Sequence, residues 1–277
     1  MMAIANTSIN EIEFPECVIS NSGTGIVEID SSENKTYYLR ILNYIDGIFL
    51  KDIPNPTTKL LEEIGEFVGR IDKAFDSFSH SGAFRIDSPW DLKNAPLYSG
   101  LTELIPCNED RRVCQYFIMK YKNEVQGQLS QTHMSIIHGD VHRYNLLLKK
   151  SVTGDNSLKG LIDFGDACLT YTIFNLAVTI SDLMVNADDP LKVAEKIVRG
   201  YHHVSPLNEL ELELLIPLAC TRLSIYLAMA AYQKSSHPKN DHASLKELGI
   251  RSLIHKLIQI SPVKFERRLK KICGYNP

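Results

Sequence analysis

The fold is decided by two short stretches, His138-Gly139-Asp140-Val141-His142-Arg143-Tyr144-Asn145 and Leu161-Ile162-Asp163-Phe164-Gly165-Asp166. Each polar segment follows a short apolar run, residues 135–137 in the first case and 158–162 in the second. Short apolar runs bounded by polar residues predict buried strands. We therefore expect both segments to be loops at strand ends, where rigid supports orient carboxylate and amide side chains.

The spacing within these loops matches the chemistry of phosphoryl transfer. Asp140 and Asn145 have the separation found in the kinase catalytic loop H-R-D-x-x-x-x-N, with Gly139 in place of arginine, and Asp163 begins a D-F-G triplet. Mg²⁺ prefers oxygen ligands, so Asn145 and Asp163 are the predicted metal ligands. Asp140 is the predicted catalytic base for an attacking hydroxyl.

Other polar residues of the two loops receive less specific assignments. His138 is included in the catalytic group, more as a support for the loop backbone than as a proton carrier. His142 and Arg143 are expected to be solvated loop residues rather than phosphate ligands. Asp166 is a candidate for a substrate contact.

Composition limits the classes of partner. The 277 residues include 44% hydrophobic and 23% charged residues and carry a formal net charge of -3. This is typical of a globular protein and gives no reason to expect nucleic acid or a membrane surface as partner. The six scattered cysteines form no C-x-x-C pair and predict reduced thiols, hence a cytoplasmic protein.

Periodicity predicts an α+β chain with a small β-rich start and a large helical remainder. Residues 16–43 are predicted to form a β-hairpin. Residues 56–78 have helical apolar spacing, with Asn55 as the N-cap and Pro56 at the first helical position. Further helices are predicted at 109–126, 172–186, 190–202, 207–234, 242–259 and 262–273. Since uninterrupted apolar runs stay short, no membrane span is expected.

The motifs resemble those of the aminoglycoside phosphotransferase and choline kinase superfamily, in which H-G-D-x-x-x-x-N precedes I-D-F-G-D. Within that superfamily the chain is most similar to hydroxylysine kinases. The segments that carry this likeness are residues 38–47, 90–96, 161–166, 200–201, 204–207 and 220–223.

The resemblance implies a protein-kinase-like fold with a reduced β N-lobe and a hinge strand in residues 1–43, and a helical C-lobe in residues 44–277. It also implies Mg²⁺, with ATP or GTP as co-substrate, and a small amino-group-bearing acceptor such as hydroxylysine. The residues it suggests for the nucleotide base are Leu42, Asn43 and Tyr44. For the acceptor, Asp166 would face an ammonium group and Arg222 a carboxylate, with a structural salt bridge as the alternative for Arg222 and with Trp90 as a further contact.

The sequence departs from the family pattern in two places. The glycine-rich loop and the N-lobe lysine over the phosphates are missing, and Asn175 stands where many relatives have an acidic residue that braces the catalytic loop. Three explanations are open: the sequence begins at an internal methionine, the protein is a naturally reduced relative, or another chain supplies the missing strands. An exposed hairpin edge would favour a homodimer.

Two functions from different classes follow. The first is a hydroxylysine kinase-like phosphotransferase. The second is a catalytically impaired pseudokinase that acts as a binding or regulatory module.

Overall fold

The computed structural model describes residues 1–31, 34–151, 155–236 and 244–276. Its strands are β1 (Val27–Asp30), β2 (Thr36–Leu39), β3 (Ile48–Phe49), β4 (Met134–Ile137), β5 (Leu146–Lys149), β6 (Ser157–Leu161) and β7 (Cys168–Tyr171). Its helices are α1 (Met2–Ser8), α2 (Thr58–Phe75), α3 (Asn108–Lys120), α4 (Ile173–Leu183), α5 (Pro190–Val204), α6 (Glu209–Ser236), α7 (Ser244–Ile258) and α8 (Pro262–Ile272). The predicted α+β class is confirmed.

The strands form three small antiparallel sheets. β1 pairs with β2, β5 lies between β3 and β6, and β4 pairs with β7. The predicted hairpin continues past β2, because Val18 N–H donates to the Ile41 carbonyl at 2.9 Å and Asn43 N–H to the Glu16 carbonyl at 3.0 Å. The second and third sheets hold the two loops singled out in the sequence.

The helices agree well with the periodicity. Observed ends differ from predicted ends by at most three residues for α2, α4, α5, α6 and α8. The predicted start of α7 at residue 242 lies outside the described residues. The predicted helix 109–126 is α-helical to Lys120 and continues as a π-helical turn, Tyr121–Val125.

The predicted N-cap of α2 is wrong. Thr57, not Asn55, caps the helix, because the Thr57 hydroxyl accepts a hydrogen bond from Leu60 N–H at 3.2 Å. A hydroxyl at this position satisfies one of the amide groups that have no partner at a helix start.

The first 14 residues belong to the core of the helical part. Ala5, Ile9, Ile12 and Phe14 are buried in one cluster with the apolar face of α2. Glu13 N–H donates to the Lys159 carbonyl at 2.8 Å, which joins this segment to β6. Four buried residues of the first 14 therefore pack with α2, whereas the hairpin exposes its apolar side chains. The division into an N-lobe remnant at residues 1–43 and a C-lobe at residues 44–277 stays a prediction.

The hairpin exposes apolar side chains on both faces. Its exposed large apolar residues are Val18, Ile19, Ile26, Ile29, Tyr37, Tyr38, Leu39, Ile41, Leu42 and Tyr44. A two-stranded hairpin is marginally stable alone, so these side chains form a surface suited to a covering partner.

Helix α6 is the central helix of the large part. It packs against α3, α4, α7 and α8. By length and composition alone α6 could cross a membrane, because it contains an 18-residue window with a mean hydropathy of 1.7. However, 72% of that window is buried inside the protein. The core helix of a globular protein has the same composition.

Helices α2 and α5 touch through their backbones. A Cβ atom on Gly65 would lie 2.0 Å from the Ile197 carbonyl oxygen, and one on Gly200 would lie 2.0 Å from the Glu62 carbonyl oxygen. Only glycine allows this approach. The contact fixes α5 against α2, and both helices reach the interior below the catalytic loop.

Candidate active site

Both loops connect the β4–β7 sheet with the β3–β5–β6 sheet. β4 leads into residues 138–145 and β6 leads into residues 162–166. Leu146 of β5 pairs with Leu161 of β6, and Ile162 N–H donates to the Asn145 carbonyl at 3.0 Å. Asn145 and Asp163 therefore extend from paired strand ends, and their role as two ligands of one ion stays a prediction.

His138 lies in the interior between the loops. Its Nδ1 accepts from Asp140 N–H at 3.3 Å, so the Nε2 proton is donated to the Ile162 carbonyl at 3.2 Å. Burial lowers the pKa of His138 to about 4, which keeps the ring neutral. Both ring nitrogens are engaged and the ring is fully buried, so His138 supports the loop backbone and is not placed to transfer a proton.

The Asp140 carboxylate has three side-chain partners. Oδ1 accepts from Arg222 at 3.2 Å, and Oδ2 lies 3.1 Å from both His142 Nε2 and Asn145 Nδ2. These contacts hold the carboxylate in one orientation. An acceptor in a fixed orientation is what a hydroxyl group would need for alignment.

The same contacts determine the charge of Asp140. Burial alone would raise the pKa of this carboxyl, but the hydrogen bond from His142 and the nearby Arg222 guanidinium lower it to about 2. Asp140 is therefore ionised at neutral pH. A carboxylate with so low a pKa accepts hydrogen bonds but is a weak proton acceptor.

Asn145 and Asp163 supply oxygen atoms. The Asn145 amide nitrogen donates to the Asp140 backbone carbonyl at 3.0 Å and to the Asp140 carboxylate. The Asn145 amide oxygen accepts no hydrogen bond in the described part of the chain. Asp163 is exposed and accepts one bond, from Gly165 N–H at 3.2 Å. An amide oxygen and a carboxylate fit Mg²⁺, which binds few protein oxygens and completes its shell with water and phosphate.

Asp163 has an unusual backbone conformation. Its φ angle is 65°, in the left-handed region that aspartate and asparagine tolerate better than most residues. This bend turns the chain from β6 into the short helical turn Phe164–Asp166. Arg85 donates to the Gly165 carbonyl and braces the turn from outside.

Gly139 connects the loop to the interior. Its φ angle is 77°, and a Cβ atom there would lie 3.1 Å from the Asp166 carbonyl oxygen, so glycine suits the site on both grounds. Gly139 N–H donates to Asn175 Oδ1 at 3.1 Å. Asn175, which departs from the family pattern, thus still contacts the loop.

The three predicted acceptor residues lie next to Asp140. The Arg222 guanidinium is 4.6 Å from the centre of the Trp90 ring and donates to the Trp90 carbonyl at 3.0 Å. Asp166 has a raised pKa, caused first by burial and then by the negative charge of Asp140. Because Arg222 is only 9% exposed and binds Asp140 and Trp90, its contacts fit the salt-bridge alternative, in which it holds the Asp140 carboxylate.

Replacing Arg222 with glutamine should lower the free energy of unfolding by about 1–3 kcal/mol, because Asp140 and the Trp90 carbonyl lose a charged donor. It should also raise the pKa of Asp140. Urea unfolding of the variant measures the first effect. Arg199→Gln is the matched control, since the contact of Arg199 in the described part of the chain is a long, exposed one of 3.9 Å with Glu62, and its loss should change stability by less than about 0.5 kcal/mol. Equal effects for the two variants would contradict the assignment.

The predicted nucleotide residues lie at the base of the hairpin, opposite Glu16 and Cys17. Asn43 N–H is occupied by the Glu16 carbonyl, so it is not available to a base. Leu42 pairs opposite Cys17, and its N–H and carbonyl make no backbone hydrogen bond in the described residues. Tyr44 is 86% exposed. Among the described residues, neither Leu42 nor Tyr44 makes a backbone hydrogen bond, so both have backbone groups available to a base.

Two loop residues were interpreted wrongly from sequence. His142 contacts Asp140, and Arg143 binds the Asp182 carboxylate at 3.0 Å and the Val185 carbonyl at 3.1 Å. Neither is a solvated loop residue. The sequence held no sign of the Asp182 contact, because its two partners lie on different elements.

The chain is similar in sequence to proteins named as kinases. Hydroxylysine kinase from Mus musculus is 33% identical over 223 residues, covering 78% of this chain and 59% of that protein. The Bos taurus protein of the same name is 32% identical over 226 residues, covering 79% and 60%. The chain thus spans about three fifths of the length of the curated relatives it matches.

A solved structure supports the fold. Amicoumacin kinase hAmiN, in complex with AMP-PNP, Ca²⁺ and Ami, superposes with a TM-score of 0.66 at 13% identity, covering 94% of this chain and 78% of that one. At this identity the likeness shows the kinase-like fold alone. Residues 23–211 match the APH family, described as a phosphotransferase enzyme family. With its catalytic loop, its D-F-G turn and its relatives in agreement, the chain belongs to the APH phosphotransferase enzyme family.

Proposed function

We propose that this protein transfers the γ-phosphate of a nucleoside triphosphate to the hydroxyl of a small amino-group-bearing molecule, hydroxylysine-like. The observation that carries the proposal is the ionised Asp140 carboxylate, held by Arg222, His142 and Asn145 at the strand ends that also present Asp163. Family membership supports phosphotransfer, and the matched relatives named hydroxylysine kinase suggest the acceptor class.

Asp140 acts mainly by orientation. The transition state of phosphoryl transfer is loose, so positioning and charge stabilisation contribute more than proton removal. Because its pKa is lowered to about 2, Asp140 accepts a hydrogen bond from the acceptor hydroxyl during the whole step. It takes the hydroxyl proton only after formation of the new O–P bond has made that proton acidic. Arg222 and His142 keep the carboxylate in place during this step.

Asn145 and Asp163 would hold Mg²⁺. When bound, the ion neutralises charge on the phosphate oxygens. The Asn145 amide stays oriented because its nitrogen is tied to Asp140, and Asp163 stays oriented through Gly165 N–H. Within the described residues no cluster of three or more His, Cys, Asp or Glu side chains forms a self-sufficient metal site, which suits an ion that enters with its nucleotide.

The acceptor's ammonium group is assigned to Asp166. This carboxyl is half-buried and close enough to Asp140 for the charge of Asp140 to raise its pKa, and the Asp166 backbone carbonyl lies against Gly139. A cation next to it would relieve the repulsion between the two acids. Trp90, already stacked against Arg222, would border the same space.

A turnover assay tests the proposal. The chain is mixed with Mg²⁺ and either ATP or GTP, and nucleoside diphosphate release is measured with hydroxylysine, homoserine, choline or kanamycin. We expect release with hydroxylysine. Lysine is the matched control, since it has the same charged groups without the hydroxyl, and it should give only the acceptor-free rate.

The outcomes separate the two classes of function. Release with kanamycin alone would contradict the acceptor class. A rise in melting temperature with Mg-ATP or Mg-GTP, without release from any acceptor, would favour the pseudokinase, because a ligand that binds the native state stabilises it. The homodimer, the cytoplasmic location and the absence of nucleic-acid and membrane partners stay predictions.

A further inference from the structure

A chain of buried hydrogen bonds runs from the catalytic loop to the interior. Gly139 N–H donates to Asn175 Oδ1 at 3.1 Å, and Asn175 Nδ2 donates to Asp72 Oδ1 at 2.6 Å. Tyr201 then donates its hydroxyl proton to Asp72 Oδ2 at 2.8 Å. All three side chains are almost completely buried. The chain joins the loop to α4, α2 and α5 in turn.

The direction of these bonds depends on the carboxylate. An asparagine amide has an acceptor end and a donor end of nearly the same shape, so it can sit in either of two orientations. An ionised carboxylate only accepts, and therefore selects the orientation in which the Asn175 nitrogen faces Asp72. The amide oxygen is then left for Gly139 N–H. In the opposite orientation the amide nitrogen would face that N–H, two donors together.

We propose that Asp72 is a positioning residue for phosphotransfer: its carboxylate fixes the Asn175 amide, and the amide oxygen in turn holds Gly139 and the loop that carries Asp140. This inference rests on the proposed function, and Asp72 itself touches neither substrate nor metal ligands. It assigns a role to a buried acid that the reaction does not otherwise use.

The environment of Asp72 agrees with such a role. Burial raises its pKa to about 7, while hydrogen bonds from Tyr201 and Asn175 oppose that rise. No cation pairs with Asp72 among the salt bridges of the described residues, so the two neutral donors are what keep the carboxylate in the interior. An unpaired buried acid is costly, and a residue chosen for packing alone would be apolar.

The test exchanges the two side chains. Asp72→Asn keeps the shape but removes the acceptor-only group. Asn175→Asp places two carboxylates in contact. The double variant Asp72→Asn/Asn175→Asp restores a consistent series of hydrogen bonds. The carboxylate introduced by Asn175→Asp accepts from Gly139 N–H and from the amide nitrogen introduced by Asp72→Asn, and the oxygen of that amide accepts from the Tyr201 hydroxyl. Asp110→Asn is the control, a buried acid of α3 that contacts Arg251 and His255 instead of the loop.

Two readouts are taken at pH 8.5, where Asp72 is ionised. The first is amide hydrogen exchange of Gly139, which needs no acceptor substrate. The second is kcat and KM. Asp72→Asn should speed Gly139 exchange and lower kcat, each about fivefold, with KM nearly unchanged, because a charge-assisted bond is replaced by a neutral one. Asn175→Asp should speed Gly139 exchange and lower kcat more than Asp72→Asn does. The double variant should return the exchange rate and kcat close to their wild-type values.

Two results would overturn the inference. One is amide exchange of Gly139 at the wild-type rate in Asp72→Asn. The other is a double variant whose Gly139 exchange rate and kcat are no closer to wild type than those of Asn175→Asp. If Asp72→Asn does not fold, the comparison of Asn175→Asp with the double variant still decides. Absence of turnover by the wild type would instead count against the proposed function, while Gly139 exchange would still show whether Asp72 holds the loop.

Discussion

Replacing Asp140 with asparagine is expected to lower the turnover number about 10²–10⁴-fold, the usual contribution of a positioned acid–base group. The amide keeps the size of the side chain, but one of its two ends is a donor. That end would face Asn145 Nδ2 and His142 Nε2, or Arg222, all of which now donate to the carboxylate. The acceptor hydroxyl loses both its alignment and the group that receives its proton.

Steady-state kinetics between pH 6 and 8 measure this loss. The folded-state pKa of Asp140 is lowered to about 2. Its ionisation therefore stabilises the folded protein above the ordinary aspartate pKa, and this stabilisation is lost as the pH falls toward 2. Because Asp140 stays ionised between pH 6 and 8, its titration should not make the wild-type rate depend on pH in that range. Asp110→Asn is again the matched control, since Asp110 also lies between a histidine and an arginine. A loss below tenfold in Asp140→Asn, or an equal loss in the control, would contradict the assigned role.

Replacing Gly200 with alanine is expected to lower the free energy of unfolding by about 3 kcal/mol, the upper part of the usual range for overpacking. The new methyl group would lie 2.0 Å from the Glu62 carbonyl oxygen, a backbone atom that cannot move without shifting α2. The two helices must separate, and the interior beside Tyr201 opens with them. Gly65→Ala should have a similar effect from the opposite helix.

Thermal unfolding gives the measurement, with an expected drop of about 6–12 °C for a loss of that size. Gly127→Ala is the control, because a Cβ atom on Gly127 would have no neighbour within 4 Å and the residue has no positive φ angle. A melting temperature for Gly200→Ala within 2 °C of the control would show that α2 and α5 are not packed through their backbones.

Sequence alone predicted the parts of this fold that are local. Apolar residues at helical spacing located α2 and the late helices, since each long helix buries one face and so repeats its own pattern. The apolar runs before residues 138 and 163 located two strands for a similar reason. Asp140, Asn145 and Asp163 could be singled out because their spacing along the chain matches a known chemical arrangement.

The short elements were missed for a physical reason. β3 has two residues and is defined by its pairing with β5, so it is too short for a local sequence pattern to predict it. β7 pairs with β4 across more than thirty residues of chain, and α1 depends on its contact with α2. These elements exist because of tertiary contacts, which override weak local preferences.

The site's supporting contacts were also beyond sequence. Asp72 and Asn175 are separated by 103 positions and Arg222 and Asp140 by 82, so no spacing rule connects them. Arg222 was suggested for a substrate carboxylate because arginine often binds one. The structure instead shows its guanidinium against Asp140 and Trp90, where a neighbouring acid and ring leave little room for a ligand.

The left-handed backbone at Asp163 bears on how an inactive reference enzyme should be made. Alanine, the usual inactivating substitution, removes the carboxylate that we propose as a metal ligand but also resists this conformation, so a defect in activity would be mixed with a defect in folding. Asparagine tolerates the same φ angle of 65° and retains an oxygen for Gly165 N–H. Asp163→Asn is therefore the cleaner null allele, and crystals or complexes grown from it would preserve the wild-type turn.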